Sequence, residues 1–394
     1  MTQLLQPLLV AAVICVAPGC RQNNGSGNDG HMEPDVSADS IRLADGSSLR
    51  ALSDSCLLVR ETSGDTFTIT TAGEETDRIA VSSSSPLFDL LLKLEQRYKR
   101  NEAYTYLTPL DIYLNPLTTR ESAALMLTKV KNGYVVPAET RMYLWPVINN
   151  APLWVMAATE LCRINNDPRW IEQVVSITRS MTAIDRQVSY NPTTGLIGGM
   201  PRYMLPALGQ LPRWLDATGL FTSASLTVNM AYVIALRNLQ TLANDFSLRN
   251  VNISLPDMGF DADSLSRAIH RHMWLPGEGM FGGLCYGSGC SYVTLHSADN
   301  IGQALAVVSG AVNPAIQSSI IANTPAEGFG MTLFAPTLSH STTSPLPPRL
   351  DRMVRTLWCV AASRVNDAGE RYDRALSQLL YAVGSRYARG QELS

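Results

Sequence analysis

The feature that most constrains the fold is a series of ten tracts with helical periodicity that follow one another from Pro86 onward. In each tract apolar residues recur at i, i+3 and i+4, the spacing of one face of an α-helix. Asp167 followed by Pro168 is typical of a helix start, with an N-cap residue and a proline at the first helical position. The predicted helices cover residues 86–99, 119–133, 151–165, 167–183, 223–246, 261–275, 298–311, 313–323, 350–366 and 369–387.

The links between these tracts alternate in length. Residues 165–168, "NNDP", form a tight link, whereas residues 184–222 and 275–297 are predicted to be long loops rich in Gly, Pro, Tyr and Trp. Long loops without secondary structure are usually functional or disordered, and the aromatic content favours function. This pattern predicts helical hairpins with a functional face, arranged as an α-solenoid or as a closed toroid.

The absence of a strict repeat period in the sequence favours the toroid over the solenoid. The predicted fold class is therefore mainly α: an (α/α)6 toroid of helical hairpins spanning residues 86–388, with a small N-terminal β-cap. The cap is predicted over residues 41–85, because Thr, Ile and Val alternate there between turn residues such as "SGD" and "AGEE".

The first residues predict export. The apolar run "LLQPLLVAAVICVAPGC" is too short for a membrane span of about 20 residues and matches the core of a signal peptide. Its end, "APGC", resembles a lipobox, so residues 1–20 are predicted to be a lipoprotein-type signal with Cys20 as the lipidated residue; an ordinary secretory signal is the alternative. Residues 21–40 are polar and are predicted to be a flexible tether. The expected location is the periplasm or outer membrane of a Gram-negative bacterium.

Charge and composition exclude several classes of function. The net charge of −3, from 31 Lys and Arg against 34 Asp and Glu, argues against a nucleic-acid partner. No cofactor and no metal are expected, because neither a CxxC pair nor a phosphate-binding glycine motif occurs. His270 and His272 point in different directions on a helix and are predicted to be partly exposed.

Export permits disulfides, and the cysteines fall into two groups. Cys285 and Cys290 bracket a glycine-rich turn in "GLCYGSGCSY", where a local disulfide is plausible. Cys162 and Cys359 lie in helical tracts and are predicted to be small buried apolar residues.

Several tracts, taken in order, resemble the six-hairpin glycosidases, the relatives of glucoamylase, trehalase and glucosidase. They are "RMYLWPVINNAPLWVMAATELCRINNDPRWIEQVVSITRS", "TGLIGGMPRYMLPALGQLPRWLD", "SASLTVNMAYVIALRNLQTLA", "HRHMWLPGEGMFGGLCYG", "NIGQALAVVSG" and "LWCVAASRVNDAGERYDRAL". The resemblance spans roughly residues 86–387 and implies an inverting glycosidase. Such an enzyme needs a protonated carboxyl and a carboxylate base, about 6.5–9.5 Å apart.

The acidic tracts of the family are altered in this chain. Where the family has an Arg-Asp pair, Asp111 is retained but Leu110 replaces the arginine. Asn149 and Asn150 occupy the stretch that ends in an aspartate in relatives. The family's Asp-Trp-Arg-Glu run is replaced by "LPAL" at 205–208, and Asp299 stands where a glutamate is common. These changes favour a member with weak or lost catalysis.

The candidate residues follow from the same tracts. The catalytic candidates are Asp111, Asp216, Glu278, Asp299 and Glu327. The resemblance implies a sugar-binding cavity lined by Arg141, Tyr143, Trp145, Asn150, Tyr203 and Trp214. Trp145 and Trp214 lie in loops and suit stacking on a sugar ring, whereas Trp154, Trp170, Trp274 and Trp358 are predicted to be core residues.

Three functions remain open at this point. The first is a carbohydrate-binding lipoprotein with weak or lost hydrolase activity, working beside glycan-degrading proteins. The second is an active inverting glycoside hydrolase acting on an oligosaccharide. The third is a helical scaffold for protein interaction. The expected partner in the first two is an oligosaccharide or polysaccharide, and the membrane is contacted only through the lipid anchor.

Overall fold

The computed structural model describes part of the chain and divides it into two compact units. The described residues are 35–36, 40–42, 48–53, 56–60, 66–70, 109–110, 113, 130–131, 134–135, 148–165, 168–204, 219, 221–248, 261–288, 291–325, 331, 333–335, 354–355, 357–358, 360–362 and 364–365. All of the descriptions that follow concern these residues.

The first unit contains an antiparallel sheet of five strands in chain order. The strands are β1 (Asp35–Val36), β2 (Ser40–Arg42), β3 (Ser48–Ser53), β4 (Cys56–Arg60) and β5 (Thr66–Thr70). Each pairs with the next, and a bulge lies between Ala51 and Ser53. The strands β3, β4 and β5 lie within residues 41–85, where the alternation of Thr, Ile and Val predicted strands, whereas β1 and the first residue of β2 lie within residues 21–40, which were predicted to be a tether.

The second unit is mainly helical, as predicted. Its helices are α1 (Ala151–Asn165), α2 (Pro168–Val188), α3 (Leu226–Leu248), α4 (Ala262–Met273), α5 (Asn300–Val308) and α6 (Pro314–Asn323). Its short strands are β6 (Val130–Lys131), β7 (Tyr134–Val135), β8 (Tyr190–Asn191), β9 (Leu196–Ile197), β10 (Ala224–Ser225), β11 (Trp274–Leu275), β12 (Met280–Phe281), β13 (Leu284–Ser288), β14 (Ser291–Thr294), β15 (Ala298–Asp299) and β16 (Phe334–Ala335).

The helices of this unit form three successive hairpins, α1 with α2, α3 with α4, and α5 with α6. The first helix of each hairpin is the more deeply buried: every residue of α5 is buried, and so are the first twelve of α1 and the first eleven of α3. The second helices are less buried: in the amphipathic α4 only Leu265, Ile269 and Met273 are buried, and in α6 only Ile320 and Ile321. A helix that is buried all round packs inside, and an amphipathic helix covers it.

The inner helices α1, α3 and α5 pack side by side, with α3 between the other two. Short backbone bridges join the segments in front of them: Ile148 pairs with Met200, and Gly199 pairs with Ala224. Leu226 N–H donates to Gly283 O (3.0 Å), and Gly283 N–H donates to Ser297 O (2.8 Å). These two hydrogen bonds connect the residues before α5 to the start of α3. All three inner helices therefore begin at one end of the unit, here called the helix-start end. The described hairpins do not by themselves close a ring.

Two of the predicted loops are partly wrong. Residues 275–297 form short antiparallel strands, because β11 pairs with β12, and β13 pairs with both β10 and β14. Residues 184–188 continue α2, and residues 190–197 contain the β8–β9 hairpin. These strands have only two to five residues, which is too short for a clear period, and the glycine and aromatic content of the stretch predicts a loop instead.

Candidate functional site

Asp299 occupies the centre of the helix-start end. It is the N-cap residue of α5 and is fully buried, with 0% of its surface exposed. Thr227 Oγ1 donates to Asp299 Oδ2 (2.6 Å), and Tyr203 Oη donates to the same carboxyl (3.1 Å to Oδ1 and 3.3 Å to Oδ2). The two hydroxyls also contact each other at 2.7 Å. Three residues that are distant in sequence thus form one closed network.

Burial dominates the electrostatics of this carboxyl. Loss of hydration raises the pKa of Asp299 from 3.8 to about 6, although the hydroxyl of Thr227 and the backbone amide of Gly302 favour the ionised form. The same burial, with the nearby Asp299 charge, raises the pKa of Tyr203 well above its usual value, so the tyrosine stays a neutral donor. A carboxyl of this kind exchanges its proton near neutral pH.

A second buried carboxyl, Asp185, lies near the end of α2. Tyr232 Oη donates to it, as do Asn149 Nδ2 (3.2 and 3.3 Å) and Ser189 Oγ (3.4 Å). Burial raises the pKa of Asp185, and these three donors oppose that shift. The network ties α2 to α3 and to the start of α1.

Asn149 has a structural part in that network. It is 2% exposed, its Nδ2 faces Asp185, and its Oδ1 accepts the N–H of Ala151 (3.1 Å) at the first turn of α1. Both the nitrogen and the oxygen of the Asn149 side-chain amide therefore form hydrogen bonds within the protein. Asn150, which is half-buried, accepts the N–H of Arg202 with its Oδ1 (3.2 Å).

Glu278 and His296 form a side-chain contact at the surface. Glu278 lies in the turn between β11 and β12, and His296 lies between β14 and β15. Glu278 Oε1 contacts His296 Nδ1, and 34% and 68% of the two side chains are exposed. The turn is anchored by Ser319 Oγ of α6, which donates to Gly279 O (2.8 Å).

The structure brings together part of the predicted site. Tyr203 and Asp299 are in contact, and Asn150 lies at the same end, next to Arg202. Tyr203 is only 4% exposed, so its hydroxyl holds Asp299 and is not presented to solvent. Leu110 is buried in the core. The predicted residues that lie outside the described part of the chain are Asp111, Arg141, Tyr143, Trp145, Trp214, Asp216, Glu327 and the lipidation residue Cys20.

Thr227, Asp185 and Tyr232 were missed by sequence reasoning. Thr227 and Tyr232 lie inside a predicted helical tract, where they look like ordinary helix positions, whereas Asp185 lies in the stretch 184–222 that was predicted to be a loop. Thr227 gave a weak signal, because "SASLT" places hydroxyl residues at a helix start, and such residues often cap helices. Its actual partner, Asp299, lies 72 residues away.

The cysteine and tryptophan predictions have mixed outcomes. Cys285 is a free, buried thiol, so the suggested disulfide with Cys290 is wrong. In register, Cys285 lies opposite Thr294, three residues before the β13–β14 hairpin turns at Ser288 and Ser291. Burial raises the pKa of Cys285 to about 11, which keeps it protonated. Cys162 is buried as predicted.

Trp154, Trp170 and Trp358 are also buried as predicted, whereas Trp274 is half-buried and stacks on His270.

Neither a metal site nor a membrane-spanning helix is found among the described residues. No three of the His, Cys, Asp and Glu side chains in those ranges lie close enough together to hold a metal ion. None of the helices that the structure describes combines the length and the apolar character needed to cross a membrane.

Comparison of the chain with known protein families and with curated proteins found no match to either.

Proposed function

We propose that the chain is a six-hairpin protein of the (α/α)6 type that binds an oligosaccharide or polysaccharide and has weak or lost hydrolase activity. The alternation of a deeply buried inner helix with a less buried outer helix, repeated in three hairpins, supports such a ring. The polar residues gathered where α1, α3 and α5 begin support a site at that end.

The observation that carries the loss of catalysis is the environment of Asp299. Of the five predicted catalytic carboxylates, only Glu278 and Asp299 fall within the described residues. Asp299 is fully enclosed, and both of its oxygens accept hydrogen bonds from Tyr203 or Thr227. A general acid must reach the leaving oxygen at about 2.6–3.2 Å, which an enclosed carboxyl cannot do without rearrangement.

A second candidate function, an active inverting glycosidase, is favoured by the protonation of that same residue. With a pKa of about 6, Asp299 carries a proton in a usable fraction of molecules near neutral pH, as a general acid must. In that case its partner base would come from Asp111, Asp216, Glu278 or Glu327, at a distance that admits a water molecule.

One experiment separates the two functions. The purified chain is screened against a panel of oligosaccharides, with binding measured by calorimetry and cleavage by the release of reducing ends. We expect binding without release. Catalytic release that is abolished by Asp299→Asn would establish the hydrolase instead, and the absence of both binding and release from every glycan would contradict both functions.

A variant pair tests where the glycan binds. Asn150→Ala removes a half-buried amide at the helix-start end, and we expect it to weaken binding by roughly tenfold, the equivalent of one lost hydrogen bond. Gln240→Ala removes an exposed amide from the middle of α3 and serves as the control, with unchanged binding. Equal effects of both substitutions would place the glycan elsewhere.

The exported location and the lipid anchor are part of the same proposal. They rest on the tract "APGC" at residues 17–20 and on the polar tether that follows it. Incorporation of labelled fatty acid into the wild type but not into a Cys20→Ser variant would support the anchor, and no incorporation into either would contradict it. Neighbouring glycan-degrading proteins are the proposed working partners.

A further inference from the structure

The outer face of α4 carries a basic stripe, here called the α4 stripe, which consists of Arg267, His270 and Arg271. The three residues are spaced i, i+3 and i+4, so they lie on one face of the helix. All three side chains are exposed, whereas the apolar face of the same helix is buried in the protein. The stripe is therefore a surface that α4 presents to solvent.

The two guanidinium groups of the stripe are not paired with acids. Among the residues that the structure describes, neither Arg267 nor Arg271 forms an ion pair. The pKa of Asp261 is lowered by hydrogen bonds from Ser264 and, to a smaller extent, by the charge of Arg267, but the two side chains are not within ion-pair distance. The negative end of the helix dipole stabilises Arg271 in the last turn, whereas Arg267 lies in the middle of the helix.

A stack of aromatic rings holds the histidine of the stripe in place. His270 lies nearly parallel to Trp274, with the ring centroids 5.9 Å apart and an angle of 11° between the planes. Trp274 in turn contacts Phe281 at a steep angle of 70°, with the centroids 5.0 Å apart. Exposure falls along the stack, from the exposed His270 through the half-buried Trp274 to the fully buried Phe281. The imidazole is thus a preformed flat surface beside two arginines.

The α4 stripe leads to the helix-start end. Because α3 and α4 form a hairpin, α4 ends next to the place where α3 begins. Gly282 N–H donates to the carbonyl of Met273, the last residue of α4 (2.8 Å), and Gly283 O accepts the N–H of Leu226, the first residue of α3 (3.0 Å). A polymer that extends outwards from the helix-start end past residues 282–283 therefore reaches the end of the stripe.

We propose that the α4 stripe binds the anionic groups of an acidic polysaccharide, whose chain extends from the helix-start end onto α4. This inference rests on the proposed glycan binding and names the class of glycan. A guanidinium donates paired hydrogen bonds to an oxyanion such as a carboxylate. A flat aromatic ring buries apolar area and suits the C–H face of a sugar. A chain of acidic sugars offers both kinds of group along its length, as the stripe requires.

A lipid surface fits the α4 stripe less well. Amphipathic helices bind membranes by burying their apolar face among the lipids, and the apolar face of α4 is already buried inside the protein. Attraction to anionic lipids without insertion relies on clusters of about 4–8 Lys and Arg. The stripe contains only Arg267 and Arg271. The net charge of −3 argues against a nucleic acid in the same way.

Matched glycans test the inference on the full-length protein. Oligomers of galacturonic, glucuronic and guluronic acid are compared by calorimetry with the same oligomers after reduction of their carboxyls to neutral alcohols. We expect an acidic oligomer to bind and its reduced form to bind roughly tenfold more weakly, the equivalent of one charged hydrogen bond. The preference should disappear in about 1 M salt, where the Debye length is only about 3 Å. Sulfation of the reduced oligomers shows whether sulfate restores binding in place of carboxylate.

A pair of double variants tests whether the α4 stripe makes the contact. Arg267→Gln with Arg271→Gln should weaken binding of the acidic oligomer by roughly tenfold and leave binding of the reduced form unchanged. The matched control is Arg179→Gln with Arg186→Gln, which removes the same charge from two exposed arginines of the outer helix α2. We expect the control to bind both forms as the wild type does.

The outcomes separate this inference from the proposed function. Equal affinity for acidic and reduced oligomers would overturn the inference and leave the proposed glycan binding intact. Equal loss of affinity in the two double variants would also overturn it, because that result reports net charge alone. Binding of no oligomer, acidic or neutral, would contradict the proposed function and the inference together. Adsorption to vesicles of phosphatidylcholine and phosphatidylglycerol, lost in the α4 variant while acidic oligomers do not bind, would assign the stripe to a lipid surface instead.

Discussion

At the scale of single residues, Asp299 and Asp261 show how the same side chain behaves in opposite environments. Asp299 is enclosed, and burial raises its pKa. Asp261 is the exposed N-cap of α4, where it accepts the N–H groups of Asp263 (3.0 Å) and Ser264 (2.8 Å). Hydrogen bonds from Ser264 lower the pKa of Asp261. Position in the fold, not residue type, decides whether ionisation stabilises the folded state.

The difference in free energy of unfolding between the Asp299→Asn variant and the wild type should favour the variant more at neutral pH than in acid. The folded-state pKa of about 6 lies above the ordinary 3.8, so the contribution of Asp299 to stability is fully present below about pH 4 and is lost as the pH rises through 6. The loss amounts to about 3 kcal/mol. The neutral amide removes this dependence. Urea unfolding at pH 4 and pH 7 measures the difference in the free energy of unfolding between variant and wild type; a difference that is the same at both pH values would contradict the prediction.

Asp261→Ala serves as the comparison with the opposite sign. It removes an N-cap and should cost about 0.5–2 kcal/mol at neutral pH. Because the pKa of Asp261 is lowered by folding, its contribution exists at neutral pH and is lost as the pH falls towards its own pKa. The destabilisation caused by Asp261→Ala should therefore be smaller in acid, where the wild type has already lost the stabilisation that the ionised cap provides.

At the scale of elements, the approach of α5 to α3 depends on a small residue. A Cβ on Gly302 would lie 2.9 Å from two carbon atoms of Leu226 and 3.0 Å from Asp299 Oδ2. These separations are shorter than normal packing distances, so a side chain at this position would force the two helices apart. Gly302 thus sets the spacing of the inner helices next to the carboxyl network.

Gly302→Ala should destabilise the protein by about 1–3 kcal/mol, because overpacking outweighs the gain of about 1 kcal/mol in helix propensity. The control is Gly277→Ala, since nothing lies within 4 Å of a Cβ built at Gly277. That change should stay within about 0.5 kcal/mol. Thermal unfolding of the two variants measures the contrast, and a neutral or stabilising effect at Gly302 would show that the inner helices are free to separate.

The sequence predicted elements unequally well. α1 begins and ends at the residues that periodicity indicated, α6 begins one residue later than predicted because Asn313 is its N-cap, and α2 begins at Pro168 as predicted. The short strands between residues 274 and 294 were not predicted. Helix starts are encoded by local caps such as Asn313, whose Oδ1 accepts the N–H of Ile316 (2.9 Å). The short strands depend on partners elsewhere in the chain, such as the pairing of β10 with β13, some 60 residues apart in sequence.

At the scale of the whole molecule, the proposed closed ring and an open solenoid differ in how they unfold. In an open array each repeat contacts only its neighbours, so the terminal repeats fray first. In a closed ring every hairpin has a neighbour on both sides. The inner helix α3 already packs between α1 and α5.

We therefore expect the hairpins of the helical unit to unfold together. The measurement is hydrogen exchange of α1, α3 and α5 at increasing urea concentration. A closed ring predicts a common transition for the three helices, with the same midpoint. Earlier loss of protection in α1 or α5 than in α3 would favour the open solenoid and contradict the toroid.

The sequence by itself determined the properties that depend on neighbours along the chain: the helical hairpins, the start of α2 at Pro168, the N-cap of α6 at Asn313, and the strands of the small sheet. Periodicity and capping are local, so a single sequence contains them. Only the tertiary structure decided which partners the buried polar groups contact. Asp299 meets Tyr203, 96 residues away, and Asn149 meets Asp185, 36 residues away, only because packing of the hairpins brings the starts of the inner helices together. Burial at that junction raises the pKa of both carboxyls, and burial is a property of the assembled molecule.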